Sequence, residues 1–115
     1  MEQQEIVNLI NNELQPLFPD SFVLATVSTF VGEPTICFRF ASSKNWSNGI
    51  IQNDKAFSST LIQKDGKKWA IDSDYFGMHR VVKFRKITAD SEEQAARKLI
   101  AWFIKNRQAI LDIPK

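Results

Sequence analysis

The spacing of apolar residues changes period twice along this 115-residue chain, and that switch constrains the fold more than any motif in it. Near the start, Ile6, Val7, Leu9, Ile10 and Leu14 recur at helical spacing, with Glu2, Glu5, Asn8, Asn12 and Glu13 between them. This predicts a helix over about residues 3–15, ended by Pro16, because the residue before a proline is pushed out of the helical region. Near the end, Ser91-Glu92-Glu93-Gln94 has the form of a capping box, with Ser91 as cap and Gln94 reaching back to its amide. Ala95, Ala96, Leu99, Ile100, Phe103 and Ile110 follow as one apolar helical stripe, which Trp102 and Ile104 widen enough for a second contact. Pro114 bars that helix from continuing.

Between the helices the period falls to two. Residues 22–31 are rich in β-branched and aromatic types, without proline or glycine inside. Gly32-Glu33-Pro34 interrupts, and residues 35–41 resume as the second strand of a hairpin. Its Ile36, Phe38 and Phe40 belong to the core, with Cys37 and Arg39 on the other side. Residues 42–55 read as a long loop with Asn48-Gly49 as its strongest turn signal; Trp46, Ile50 and Ile51 should fold it back onto the body. Strands over 57–63 and 68–73 flank Asp65-Gly66, which fits a two-residue type I′ turn. A short turn through 74–78 then leads to a fifth strand over 79–88. Few of these connections are long enough for a parallel crossover. The expected architecture is a single α+β domain, 1–115, in the order α-β-β-β-β-β-α. Its antiparallel sheet of about five strands carries the N- and C-terminal helices on one face.

Composition excludes several classes. A hydrophobic fraction of 43% and a charged fraction of 24% are those of an ordinary globular protein. A single cysteine cannot form an internal disulfide, and nothing points to an oxidising compartment. Residues 1–5 are acidic and polar, unlike a signal peptide, and no apolar run approaches the roughly 20 residues of a membrane helix. The expected location is the cytoplasm. The net charge of +2 is unevenly spread: residues 1–20 hold four acids and no base, whereas residues 64–86 hold seven bases against three acids. An acidic end and a basic sheet region orient partners more than they bind nucleic acid wholesale.

Reactive side chains are sparse. His79 and Cys37 are each the sole residue of their type, so a Cys-His pair would need both to meet, and a histidine-based zinc site lacks ligands. Cys37, between Ile36 and Phe38, is expected to behave as a small hydrophobe. Asp72 and Asp74 would share one strand face if the strand persisted, an arrangement able to hold a divalent cation. Aspartate and serine also end strands for purely structural reasons, and Gly32, Gly49, Gly66 and Gly77 are too isolated to form a phosphate loop. No catalytic residue, metal site or cofactor is expected.

Two surface signals remain. Lys64, Lys67 and Lys68 gather at a hairpin tip, while Lys83 and Arg85 share one face of the last strand, with Arg80 and Lys86 on the other. With nearby aromatics they would suit nucleic acid, although lysines also protect sheet edges. Trp46, Tyr75, Phe76 and Trp102 fall in loops or on the widened helical stripe, and such residues anchor protein interfaces. The sequence thus points to a non-enzymatic binding domain acting through protein–protein contact, with a specific target or as a homodimer. Its size suits an inhibitor, immunity protein or adaptor of the type mobile genetic elements encode. Trp46, Tyr75, Phe76 and Trp102 are the expected anchors, with Lys67, Arg80 and Lys83 orienting the partner. The alternatives are nucleic-acid binding through Lys64, Lys67, Lys68, Arg80, Lys83 and Arg85, and metal-dependent phosphoryl transfer using Asp72, Asp74 and His79.

Overall fold

In the computed structural model, the described residues are 1–30, 32–41, 46–47, 50–51, 56–64, 66–76 and 87–112. Their elements run α1 (Gln3–Leu14), a 3-10 turn (Gln15–Leu17), β1 (Phe22–Phe30), β2 (Glu33–Ala41), β3 (Trp46–Ser47) and β4 (Ile50–Ile51). They continue with β5 (Ala56–Lys64), β6 (Lys68–Phe76), β7 (Thr88–Ala89), α2 (Glu92–Lys105) and α3 (Arg107–Leu111). The main sheet has the order β1-β2-β5-β6-β7, antiparallel at every pairing, and β3 and β4 pair separately with each other. This is the expected α+β meander with its helices on one face.

The strand pattern selects that face. Register pairs Val23 with Phe40, Ala25 with Phe38, Phe40 with Phe57, and Leu61 with Ile71, so alternate residues of four strands form one apolar layer. Ile36, Phe38, Phe40, Phe57 and Leu61 lie buried there under Ile6, Ile10 and Leu14 of α1 and Ala96, Leu99 and Phe103 of α2. Phe103 is the hub. Its ring centroid lies 5.1 Å from that of Phe38, 5.4 Å from Phe40, 5.3 Å from Phe57 and 6.1 Å from Phe18. Such tilted and edge-on contacts add to the area each ring removes from water.

Local chemistry sets the helix ends. The Glu2 amide donates to Glu5 Oε1 at 3.2 Å, and Ser91 Oγ accepts from the Gln94 amide at 3.1 Å. Gln94 returns its side chain one residue further back than expected, accepting from the Asp90 amide at 3.2 Å. The C-terminal helix is also not continuous. Asn106 leaves helical geometry at φ −100° and ψ 12°, and its side-chain amide donates to the Trp102 carbonyl at 2.9 Å, splitting α2 from α3.

The turns correct three further expectations. Glu33 and Pro34 belong to β2, and Phe30 pairs with Glu33 across Val31 and Gly32, with Gly32 at φ +80°. Pro34 precedes the start of β2–β5 pairing at Ile36, where its missing N–H costs no ladder bond. Lys64 pairs with Lys68, so three residues separate the β5–β6 pair instead of two, with Gly66 at φ +65°. Positions 74–76 of the expected turn belong to β6, which runs on to Phe76, and positions 77 and 78 lie outside the described residues. The expected fifth strand over 79–88 lies mostly outside the described residues; Thr88 and Ala89 form β7.

Ser59 is the odd member of the core face. It is 2% exposed opposite Phe38, and its hydroxyl has no hydrogen-bond partner among the described residues. Ser59→Ala should leave stability unchanged or raise it by about 1 kcal/mol, since a buried hydroxyl without a partner carries a desolvation penalty. Phe103→Ala should lower unfolding free energy by about 3–5 kcal/mol, as large aromatic truncations do. Urea unfolding followed by tryptophan fluorescence reads both.

Candidate functional site

An open meander exposes two edges, and the edge at β1 is the notable one. In an antiparallel strand each residue turns its N–H and C=O together toward one neighbour, alternately. The tight β1–β2 turn makes Phe30 and Glu33 a bonded pair, so the even-numbered residues of β1 bond β2 and the odd-numbered ones face outward. Val23, Ala25, Val27 and Thr29 thus form the free edge. The strand, FVLATVSTF, contains no charged residue, proline or glycine.

The first half of this edge is closed by side chains from α1 and from the 3-10 turn that follows it. Asn11 Oδ1 accepts from the Ala25 amide at 2.8 Å, and Asn11 Nδ2 donates to the Ala25 carbonyl at 3.1 Å. One carboxamide thus makes both bonds that a neighbouring strand would make. Gln15 Nε2 donates to the Val23 carbonyl at 3.0 Å. Among the described residues, the second half receives no such cover. At its other end α1 has crossed toward β2, where Gln3 Nε2 donates to the Pro34 carbonyl and to Glu92 Oε2, each at 3.0 Å. Exposure follows this diagonal: Val23 is 7% and Ala25 2% exposed, whereas Val27 is 37% exposed and Ser28 and Thr29 are also exposed. Among the described residues, no hydrogen-bond partner meets the backbone of Val27 or Thr29 on its outward side.

The opposite edge is treated differently. Ile87 and Ala89 turn toward β6, so the Thr88 carbonyl faces outward, and it accepts from Lys98 Nζ of α2 at 2.7 Å. A hollow of about 430 Å³, lined by Gln15, Phe18, Pro19, Ser21, Phe22 and Val23, lies at the closed end of β1, away from the free segment.

The anticipated anchors are carried by three elements, β3, β6 and α2. Trp102 is half-buried, stacked on Phe57 at 6.0 Å and edge-on to Phe103 at 4.9 Å, so it extends the core margin. Tyr75 and Phe76 are strand residues of β6 and not loop residues; position 75 pairs with Phe57, and successive strand positions belong to opposite faces of the sheet. Trp46 lies in β3, paired with Ile51, so the anticipated loop over 42–55 contains a small hairpin. At the basic tip Lys64 and Lys67 are exposed, while Lys68 is ion-paired with Asp90. That ammonium group, through its hydrogen bond and its charge, holds the Asp90 carboxyl below its ordinary value. Arg80, Lys83, Arg85, Lys86 and His79 lie outside the described residues. Asp72 and Asp74 pair with Thr60 and Ser58, so both positions do share the uncovered sheet face. Among the described residues, no cluster of three or more His, Cys, Asp or Glu is placed to hold a metal ion. Cys37 lies on that same uncovered face, the side expected for it, but is half-buried where full burial was expected, its Sγ 3.9 Å from the Thr35 carbonyl. Among the described residues no helix is long and apolar enough to cross a membrane.

Comparison with protein-family models, with curated proteins and with solved structures finds no match.

Asn11, Gln15, Val27 and Thr29 escaped the sequence reading. The uncharged run over 22–31 was the available signal, but its meaning depends on β1 being an edge. Asn11→Ala would leave the Ala25 amide and carbonyl without partners in a position that is 2% exposed. It should cost about 1–3 kcal/mol. Amide hydrogen exchange at Ala25 should accelerate selectively, with Cys37 and Thr26 on the β1–β2 ladder less affected.

Proposed function

We propose that this domain is a non-enzymatic binding module that joins another polypeptide by pairing with the free half of β1. The observation that carries the reading is the contrast within one strand. Ala25 has both backbone groups bonded by Asn11, while the same groups of Val27 and Thr29, in the same strand, meet no outward partner among the described residues. Such an edge is a template for an added strand: main-chain hydrogen bonds supply attraction, and alternate side chains supply selectivity. The absence of charge on β1 supports a peptide or protein partner over a polyanion. One cation of the basic tip, Lys68, is engaged by Asp90, which further favours this reading over nucleic acid.

A random-peptide display selection on the immobilised domain, with Thr29→Pro as counter-target, tests the proposal. Proline removes the outward N–H at a position where an edge strand tolerates it. Enriched peptides should alternate β-branched or aromatic residues with polar ones and should lose binding to the variant. Peptides that bind both proteins equally would overturn the reading, as would failure to enrich any. Oligonucleotide affinity that falls steeply with salt, without enriched peptides, would move the site to Lys64 and Lys67.

A further inference from the structure

The geometry points to a second copy of this chain as the partner, with the two β1 strands pairing antiparallel about a two-fold axis at Ser28. This rests on the strand-pairing reading above and names its occupant. Three observations converge. First, the free segment is self-complementary: Val27 and Thr29 each offer one outward N–H and one outward C=O, and a two-fold axis presents the same set in reverse. Second, Asn11 selects the register. Centring the axis on Ser28 sets Val27 opposite Thr29 of the other copy, and Thr29 opposite its Val27, so both free residues of each copy form bonded pairs. Centring it on Val27 would require the Ala25 groups that Asn11 already holds, and would leave Thr29 unused. Third, nothing in β1 repels its like. The strand is uncharged, and Leu24 and Val27, 39% and 37% exposed, are two of the large apolar side chains that the described surface leaves in water.

The resulting assembly would be one continuous sheet of two meanders, joined β1 to β1. The α1 helices would lie on the same face, and each Asn11 would mark an end of the seam. At the centre, Ser28 would meet its own counterpart as a non-hydrogen-bonded pair, the closest type of cross-strand neighbour. Positions 26 and 28 would therefore behave differently, because Thr26 would stand opposite residue 30 of the other copy.

The full chain is examined by sedimentation velocity from micromolar to millimolar concentration, and by disulfide trapping in a Cys37→Ser background. A concentration-dependent dimer is expected, with Ser28→Cys oxidising readily to a covalent dimer and Thr26→Cys doing so far more slowly. Thr29→Pro, and separately Val27→Lys as a variant that keeps every backbone group, should each raise the dimer dissociation constant roughly tenfold or more. Both should retain the wild-type circular dichroism spectrum. A monomer at every concentration would overturn the proposal, as would equal trapping through positions 26 and 28. If that monomer still selected strand-like peptides that Thr29→Pro rejects, the dimer would fall and the polypeptide-binding reading would stand.

Discussion

The contact between Phe103 and the rings of Phe18, Phe38, Phe40 and Phe57 sets the position of everything else. It joins α2, the central strands and the segment after α1 at one point, which commits both long helices to one face of the sheet. With α2 fixed there, Gln3 ties the start of α1 to Glu92 and Pro34. Arg107 Nε donates to the Leu17 carbonyl at 3.0 Å, tying down the segment after the far end of α1. A helix pinned in this way crosses the sheet obliquely, and only part of it lies beside β1. The half-covered edge is therefore a consequence of core packing. It does not need a feature of β1 itself.

Period and punctuation made the fold legible. Ile36, Phe38 and Phe40 alternate cleanly, and all three are fully buried, because a strand buried on one face has little freedom of register. The stripe from Ala95 to Ile110 could be read for the same reason, even though Asn106 interrupts the helix that carries it. At that interruption the Asn106 side chain bonds the Trp102 carbonyl, a detail that apolar periodicity does not encode. The extent of β6 was hidden because Asp72, Ser73 and Asp74 are residues of strand-ending turns, yet pairing with Ser58–Thr60 overrides that preference.

The site was less legible, for a physical reason. An uncharged run such as FVLATVSTF is unremarkable inside a sheet and exposed only at its margin. Sequence shows the run, whereas margin status comes from strand order. The role of Asn11 is harder still to read. On a helix facing water an asparagine is a weak helix former, and here it supplies the two bonds of a missing strand. Of the aromatic anchors read from the sequence, Trp102 joins the margin of the core formed by Phe18, Phe38, Phe40, Phe57 and Phe103.

Charge is a common guard of sheet edges, and at β7 the chain uses it, through Lys98. At β1 the guards are the neutral amides of Asn11 and Gln15, and among the described residues they cover only the first half of the strand. The guarded half supports folding, since Ala25 is buried and its backbone groups must be bonded. In the proposed pairing the unguarded half would exchange water for a partner without disturbing the core. Four intermolecular backbone bonds contribute about 0.5–1.5 kcal/mol each, and each cross-strand pair of side chains about 0.2–1. Loss of translational and rotational freedom opposes them by about 4–15 kcal/mol. The proposed pairing over so short a seam would therefore be weak and reversible, with its backbone bonds contributing more than its few side-chain pairs. Lengthening the seam past Ala25 would first require Asn11 to let go, so the same clamp that protects the fold also limits how tightly this edge can hold a partner.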